Sequence, residues 1–456
     1  MTLKKIIPWI IYLIFFAVLN ETVFNVSTPI ITEQFALSSS GVSWMMTIFL
    51  VFFGIGSVIY GRLADIFSLR RLIVIGIVIY NIGSVMGFIL QSSYPLVILS
   101  RAIQGIGASA IPALIFVVVV RYFSESERGK VFGLITSTVS FGIGLGPVIG
   151  GFVSSSLHWS YLFLIPLLML IAIPFLIKAL PEENRKEGSV DIIGAIMVAF
   201  TVGFFVLYLN YGKWYYLCSF LIFIIAFIIR MRMVPEPFIE PSLFKNIKFR
   251  NGVIVGFSLF SIVIGILFLI PLMLHEIYNL NTSQIGMVLF PGAISSVIFG
   301  PLGGKLADRK GNSFVVFIGL ILLIASMIMM AFLLSVSVIV IAVALLFTYV
   351  GFSLFQTAMI NSVSQTLPEN ETGVGMGLFN LVATLAGAVG TAVAGKILDG
   401  KWLEFSLLPS VSLPKGVSYS NILLLFSIVV VLGGILYLRS FRNVEPIKVP
   451  DKEPRI

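Results

Sequence analysis

The chain has 456 residues, of which 58% are hydrophobic and 11% are charged, and its mean hydropathy is +1.09. Soluble proteins carry roughly 25% charged residues, so this composition excludes a water-soluble protein and predicts an all-α polytopic membrane protein. The single cysteine, Cys218, excludes a disulfide framework and a cysteine-based metal cluster, and its apolar surroundings predict a buried side chain. The formal net charge of +9 gives no reason to expect a nucleic-acid partner.

Apolar segments of about 20 residues, the length that spans a bilayer, recur along the whole chain. The first follows MTLKK, is longer than a signal-peptide core and lacks a small-residue cleavage site, so we expect an uncleaved first helix. The pattern predicts fourteen transmembrane helices, at 6–31, 42–61, 72–91, 95–120, 130–153, 160–180, 191–210, 214–233, 251–274, 285–304, 313–334, 337–360, 373–397 and 420–440.

The basic residues predict the orientation, because cytoplasmic loops of membrane proteins are enriched in Lys and Arg. With the N-terminus inside, the 29 basic residues fall almost entirely in cytoplasmic segments. The exceptions are Lys213, Lys396, Lys401, Lys415 and Arg101. We therefore expect a multi-pass membrane protein with both termini in the cytoplasm.

An internal repeat divides the chain. GRLAD at 61–65 recurs as GKLAD at 304–308, and each copy ends an even-numbered helix and begins a short basic loop. The copies lie eight predicted helices apart, so two helices are inserted between two six-helix bundles, as in transporters built from duplicated units. The predicted units are an N-terminal bundle at 1–180, the inserted pair with its loops at 181–250, a C-terminal bundle at 251–440 and a cytoplasmic tail at 441–456.

Several motifs resemble those of the major facilitator superfamily. These are GRLADIFSLRR in the loop between helices two and three, LSRAIQGIGAS in helix four, GIGLGPVIGG in helix five and LNETVFNVSTP in helix one. Together with fourteen helices they resemble the drug/proton antiporter-2 group. HWSYLFLIPL, VDIIGAI, LADRKG and YSNILLLFS are most similar to tetracycline/proton antiporters of gram-positive bacteria, of the chromosomal staphylococcal type. The resemblance implies the major facilitator fold and proton-coupled drug export.

Glu21 and Arg101 are charged residues inside predicted helices, where a charge is costly and usually functional. Counted from the outer ends of helices one and four, their depths differ by about 6 Å, within reach of a long arginine side chain. The resemblance places both helices at the cavity of the N-terminal bundle and gives Arg101 a coupling role. We expect Glu21 to carry the proton; a buried ion pair that fixes helix packing is the alternative.

Polar residues at helical spacing indicate cavity faces. Glu21, Asn25 and Thr28 share one side of helix one, and Arg101 and Gln104 share one side of helix four. Helix twelve carries a similar stripe, formed by Ser353, Thr357, Asn361 and Ser364. Hydrogen bonds between helices are the alternative explanation for such stripes.

The two repeated loops carry Asp65 and Asp308. The resemblance implies that Asp65 acts as a conformational latch with the basic residues around it, which are Arg62, Arg70 and Arg71. The family usually has glycine where this chain has Ser68. Solvated loop charges are the alternative for both aspartates.

The antiporter motif of helix five comprises Gly142, Gly146, Pro147, Gly150 and Gly151. Small residues permit close helix approach, and proline permits a kink. The resemblance implies a bend that seals leak pathways during antiport; small-residue packing without directionality is the alternative.

Asp191 begins helix seven, where an acid favours the helix N-terminus. Similar tetracycline exporters carry an acid here, which implies a role in transport, so capping and transport both remain open. Those relatives also carry an acidic residue in helix thirteen, whereas this chain has Gly387 in the matching stretch.

We expect no enzyme activity and no cofactor. The chain lacks a Walker-type motif, so a proton gradient is the expected energy source. The expected substrate is tetracycline, complexed with a divalent cation and exchanged for external protons. A multidrug antiporter for lipophilic cations is the alternative; a proton-coupled importer and a non-transporting sensor are the other classes considered.

Overall fold

The computed structural model describes residues 6–183, 190–408 and 414–441, and within these ranges its regular structure is entirely helical. Fourteen helices are long and apolar enough to cross a membrane, as predicted. They are α1 (Ile7–Gln34), α2 (Ser39–Ile66), α3 (Leu69–Ile89), α4 (Tyr94–Tyr122), α5 (Glu125–Ser156), α6 (Trp159–Ala179), α7 (Ile192–Tyr211), α8 (Trp214–Met233), α9 (Ile247–Tyr278), α10 (Thr282–Lys310), α11 (Asn312–Leu333), α12 (Val338–Ser364), α13 (Glu369–Asp399) and α14 (Pro414–Phe441). The segments 184–189 and 442–456, which include most of the predicted tail, lie outside the described residues.

Two of the spans are irregular. The first is α-helical over Ile7–Val23, passes through a 3-10 turn at Asn25–Ser27 and resumes as an α-helix at Thr28–Gln34. Pro29 stands at the start of the second helical piece and removes a backbone donor at this break. The sixth span is a 3-10 helix over Trp159–Ala172 that continues as an α-helix.

The helices pack as two bundles, α1–α6 and α9–α14, that meet along two helix pairs. Within the first bundle α2 and α3 pack on α4, and α1 packs on α5; within the second α11 and α10 pack on α12, and α9 packs on α13. The bundles meet where α5 contacts α10 and where α2 contacts α13. The hairpin of α7 and α8 lies beside α2 and α13.

The outer helix of this hairpin is hardly covered by protein. Phe227 is the one buried residue along α8. Cys218 lies on this helix with its side chain exposed, so the prediction that it is buried was wrong. An apolar chain segment does not distinguish burial in protein from exposure to lipid, and here the lipid-facing position holds.

An even number of spans returns the chain to its starting side, so both described ends lie on one face of the bundle. We call this the proximal face and the opposite one the distal face. At the distal face the bundles are in contact: the Asp399 carboxylate accepts hydrogen bonds from the backbone N–H groups of Ser39 and Ser40, each at 2.8 Å. The Thr282 hydroxyl donates to the Gly151 carbonyl at 3.2 Å.

At the proximal face the same helices are apart. No heavy atom of another element lies within 4 Å of the Cβ position of Gly61 in α2, Gly133 in α5 or Gly377 in α13. The molecule is therefore closed at its distal face and open between the bundles at its proximal face.

Candidate functional site

Arg101 forms the centre of a buried polar cluster in the first bundle. Its side chain is fully buried, about two turns after the start of α4 at Tyr94. One terminal nitrogen, Nη1, donates to Gln104 Oε1 at 2.9 Å and to Asn20 Oδ1 at 3.3 Å. Nε donates to the Met45 carbonyl at 3.3 Å, while Nη2 has no hydrogen-bond partner among the described residues. A guanidinium this deeply buried requires such acceptors, because an unpaired buried charge is costly.

Aromatic rings and a hydroxyl complete the cluster. The guanidinium carbon lies 4.6 Å from the centre of the Phe24 ring and 4.1 Å from that of Phe49, so cation–π attraction stabilises the charge. Gln104 donates through Nε2 to Ser84 Oγ at 2.8 Å, and Ser84 donates to the Tyr80 carbonyl at 2.9 Å. The orientation of Arg101 is therefore fixed by helices α1, α2 and α3 together.

Glu21 lies beside this cluster without joining its hydrogen bonds. The carboxylate is close enough to Arg101 for an electrostatic interaction. Among the described residues, however, no ion pair within 4.0 Å or hydrogen bond ends on Glu21. The expected reach of Arg101 across to α1 occurs, but to the amide of Asn20 instead of the acid, because the buried face of α1 at this depth presents Asn20 and leaves Glu21 half-buried.

Glu21 is also distinguished by its depth. It lies in the middle of the span Ile7–Gln34, whereas every other Asp or Glu in the described spans lies in a first or last turn. An isolated carboxylate at this depth is a group that can bind and release a proton.

A crevice opens between the bundles near this cluster. It is lined by Thr22, Asn25, Ile143 and Pro147 of the first bundle and by Leu267, Leu289 and Tyr349 of the second. Asn25 begins the 3-10 turn of the first span, and its carbonyl accepts a hydrogen bond from Thr28, which is buried. The predicted stripe therefore separates: Asn25 faces the crevice, whereas Thr28 packs inside the protein.

The polar stripe of α12 serves helix packing at two positions. Ser353 donates to the carbonyl of Ser296 in α10 at 3.3 Å, and Asn361 donates to Asn312 Oδ1 in α11 at 2.9 Å. Thr357 and Ser364 donate to backbone carbonyls of their own helix. These contacts favour the alternative of hydrogen bonding over a cavity face.

The glycines of the antiporter motif pack on two neighbours. A Cβ at Gly142, Gly146 or Gly150 would meet α1, at Val18, Thr22 and Val23 respectively. A Cβ at Gly151 would meet the backbone of Thr282 in the opposite bundle, and the Pro147 carbonyl occupies the matching space at Gly286. The motif thus joins α5 to α1 and, at the distal end, to α10. Its helix is continuous over Glu125–Ser156 despite Pro147.

Asp65, the predicted latch aspartate, lies at the proximal face. Its Oδ1 is 3.7 Å from Nη2 of Arg121, the last-turn arginine of α4, and its side chain is 75% exposed. Arg121 also donates to the carbonyl of Ala64 at 3.1 Å. Asp65 is therefore paired inside its own bundle. Ser68 has φ −58°, so this loop does not require glycine.

Glu183, which the sequence analysis did not single out, links three helices at this face. It accepts hydrogen bonds from both Arg121, at 3.1 Å, and Tyr122, at 2.7 Å, and from the N–H of Leu69 at 3.3 Å. Burial pushes the pKa of Glu183 up, but these hydrogen bonds and the Arg121 charge outweigh it, so the pKa is lowered. The acid pair in PEEN, directly after the sixth span, was the signal available in the sequence.

The other basic and acidic residues of the loops are less connected. Arg71 pairs with Glu182, while Arg70 is near enough to act on the same carboxylate. Arg62 is half-buried, and Asp308 is exposed and makes no ion pair with another described residue. No described contact joins Asp308 to the first bundle.

Asp191 lies apart from Glu21 and caps α7. Its Oδ1 accepts from the N–H of Gly194 at 2.9 Å and pairs with Arg230 Nη2 at 2.7 Å, and its Oδ2 accepts from the N–H of Phe238 at 3.2 Å. The side chain is 1% exposed. Burial raises the pKa of Asp191, but the bonds to Arg230 and to the two N–H groups outweigh this effect and lower it. Of the two roles predicted, the geometry favours capping.

The chain matches a known protein family over most of its length. The family model for the Major Facilitator Superfamily matches residues 10–391. The chain belongs to this superfamily. It is therefore a transporter and not an enzyme, and its fourteen helices make it a multi-pass membrane protein.

Similar curated proteins include a bacterial riboflavin transporter and bacterial resistance proteins. The riboflavin transporter RibZ of Clostridioides difficile (strain 630) is 27% identical over 84% of this chain and 87% of its own length. The multidrug resistance protein Stp of Mycobacterium tuberculosis (strain CDC 1551 / Oshkosh) is 24% identical over 87% of this chain and 76% of its own. The lincomycin resistance protein LmrB of Listeria monocytogenes (strain ATCC BAA-679 / EGD-e) is 26% identical over 84% of each.

Solved structures of the superfamily share the fold. A bacterial homologue of the human lysosomal transporter Spinster, crystallised in an inward-facing and unoccupied conformation, matches with a TM-score of 0.70. The two chains are 14% identical, and the match covers 96% of this chain and 97% of the other.

Proposed function

We propose that this superfamily member is a proton-coupled exporter that exchanges external protons for a cytoplasmic drug. The observation that carries the proposal is the isolated mid-membrane carboxylate of Glu21, which interacts electrostatically with the buried Arg101 cluster and lies one turn before the crevice residue Asn25. Resistance proteins among the relatives support drug efflux in general.

In this proposal the proximal face is the cytoplasmic face. The described basic residues of the predicted cytoplasmic loops, among them Arg70, Arg71 and Arg121, lie there, as expected for loops retained on the inside. The structure then corresponds to an inward-open state in which the crevice is reached from the cytoplasm.

The cycle has three steps. A drug cation enters the inward-open crevice while Glu21 is ionised. Rocking of the two bundles opens the distal face and exposes the drug to the outside. Protonation of Glu21 there removes the negative charge, which promotes release of the drug and permits the return, and the proton leaves on the cytoplasmic side.

Tetracycline complexed with a divalent cation is the substrate proposed first. That complex carries a net positive charge, which suits a crevice whose nearby acid is Glu21. The sequence motifs support this choice, whereas the similarity to the resistance proteins Stp and LmrB supports a broad multidrug antiporter equally well. Transport of ethidium would distinguish a multidrug antiporter from a tetracycline exporter.

The test uses everted membrane vesicles with an acidic interior. Addition of tetracycline and Mg²⁺ is expected to collapse the pH gradient with the unsubstituted protein and not with Glu21→Gln. Glu404→Gln, an exposed carboxylate outside the spans, is the matched control and should retain the collapse. Collapse that persists in Glu21→Gln would remove Glu21 from the coupling mechanism. If the unsubstituted protein dissipates the gradient with ethidium but not with tetracycline, the multidrug alternative replaces tetracycline.

A further inference from the structure

The distal face carries a second contact between the bundles, at the distal end of the span that contains Glu21. Glu33, in the last turn of α1, lies with Oε1 2.9 Å from Nε2 of His275, in the last turn of α9. The side chain of Glu33 is 66% exposed and that of His275 is 30% exposed, so both exchange protons directly with the distal medium.

The hydrogen bonds of His275 indicate how many protons the imidazole ring and the Glu33 carboxyl group share between them. Its Nδ1 lies 3.0 Å from the carbonyl oxygen of Leu280, an acceptor, so Nδ1 carries a hydrogen. A neutral ring would then present a bare Nε2 to the Glu33 carboxylate, and two acceptors do not bond. One further proton is needed, either on Nε2 or on the carboxyl group, for the observed 2.9 Å contact.

We propose that closure of the distal face takes up one proton at the Glu33–His275 pair, so that acid outside favours the distally closed state independently of Glu21. When the bundles separate, the Glu33 carboxylate moves away from the His275 ring. A histidine in water is largely neutral above its ordinary pKa of about 6.5. The proton bound on closure is then released to the distal medium.

The other groups around His275 do not supply this contact. Glu276, its neighbour on α9, also acts on the ring, but it lies in the same bundle and stays with it when the bundles move. Tyr419 of α14 interacts with Glu276 and with Asp399 of α13. The beginning of α10, the end of α11 and the beginning of α12 present neutral side chains at this face, and the ammonium of Lys396 donates to the Asn210 carbonyl.

The same face contains a natural control. Asp399 joins α13 to the N-terminus of α2 through two bonds from backbone N–H groups, which need no added proton. Its removal should therefore weaken closure equally at every pH, whereas removal of His275 should abolish the dependence on pH.

The experiment measures the distance between the bundles at the distal face. Spin labels are attached to cysteines introduced at Ser92 and Val336, exposed residues of the α3–α4 and α11–α12 turns, in full-length protein in lipid nanodiscs. The background protein carries Cys218→Ser, because the exposed native cysteine would also be labelled. It also carries Glu21→Gln, so that protonation of Glu21 does not contribute to the pH dependence. No drug is present, so failure of tetracycline export does not affect the result.

Between pH 8 and pH 5.5 the population ratio of long to short distances between the labels is expected to fall about fivefold. This factor corresponds to the stabilisation that a partly exposed ion pair gives the closed state. His275→Gln, and separately Glu33→Gln, should abolish this fall. Asp399→Asn should raise the long-distance fraction at each pH and keep the fall. A pH dependence that survives His275→Gln, or that is absent from the background protein, would overturn the proposal.

Discussion

Arg101 bonds to Asn20 at 3.3 Å and leaves the neighbouring Glu21 unbonded. Consecutive residues of a helix point about 100° apart, so the amide faces the buried cluster while the acid faces partly open space. The acid and the cation influence each other electrostatically without a direct bond. Protonation of Glu21 therefore does not have to break an ion pair.

This arrangement predicts that two substitutions of Asn20 affect different properties, one the transport rate and the other the unfolding temperature. Asn20→Asp would place a carboxylate at the atom that Arg101 already contacts, and a buried charged hydrogen bond contributes about 1.5–3 kcal/mol. We expect the rate of drug-dependent gradient collapse in everted vesicles to fall roughly tenfold, with no loss of thermal stability.

Asn20→Ala is the comparison. It removes an acceptor from the guanidinium, so the unfolding temperature in detergent should fall. Transport at the unsubstituted rate by Asn20→Asp would contradict the prediction that a carboxylate bound to Arg101 weakens the electrostatic influence of Arg101 on Glu21.

Glu183 is expected to stabilise the proximal end of the first bundle in a pH-dependent way. Its pKa is lowered, because hydrogen bonds and Arg121 outweigh the burial that raises it. A lowered folded-state pKa stabilises the protein above the ordinary glutamate pKa of about 4.3, and this stabilisation is lost as pH falls through the folded value. Glu183→Gln should therefore lower the unfolding temperature at pH 7.

The difference between Glu183→Gln and the unsubstituted protein should shrink as pH falls below about 4.3, because Glu183 becomes protonated as pH passes through its lowered folded-state pKa. Asp65→Asn, which alters an exposed acid paired to the same Arg121, is the matched control and should change the unfolding temperature little. Equal stability of Glu183→Gln and the unsubstituted protein at pH 7 would refute the structural role assigned to Glu183.

Asp191 is predicted to be structural. Asp191→Ala would leave Arg230 and two backbone N–H groups without their acceptor, and loss of a buried partner costs about 3–5 kcal/mol. The purified protein should unfold at a clearly lower temperature. Asp191→Asn, which keeps an oxygen for the cap, should lose less.

Transport separates the two roles considered for Asp191. If capping is its role, the Asp191→Asn protein that remains folded should collapse the gradient in response to tetracycline. Full stability combined with lost coupling would instead assign Asp191 to transport.

Two glycines of α5 predict contrasting effects of one added methyl group. At Gly150 a Cβ would meet the carbonyl of Val23, so Gly150→Ala must push α1 and α5 apart, at a cost of about 1–3 kcal/mol. At Gly133 in the same helix nothing lies within 4 Å. Thermal unfolding should show a loss for Gly150→Ala and none for Gly133→Ala; equal effects would contradict the close packing of α1 on α5.

Helix number and location could be predicted because each span is a long apolar segment that the bilayer itself selects. The break of α1 after Val23 was not predicted: Pro29 lies close to it, but the packing of the 3-10 turn on α5 and α9 is not contained in the local sequence. Asn20 and Glu183 were missed for a related reason. Their importance depends on the partners that the fold brings to them from residues 81 and 62 positions away, which no local pattern contains.

Three helices at the meeting of the bundles carry glycine twice on one face, eighteen residues or five turns apart. The pairs are Gly133 and Gly151 in α5, Gly286 and Gly304 in α10, and Gly377 and Gly395 in α13. In each pair the distal glycine would clash with backbone of the opposite bundle if it carried a Cβ, and the proximal one would not.

The proximal glycines thus make no contact with the opposite bundle here. Their lack of a side chain would permit close contact if the proximal ends of these helices met instead of the distal ends. A bulky residue at Gly133 would not destabilise the present arrangement, because nothing lies within 4 Å of its Cβ position. It would hinder an arrangement in which the proximal ends of the helices are in contact. Under the rocking motion proposed above, the eighteen-residue glycine register of these three helices supplies a close-packing position at each end, of which only the distal one is in contact here.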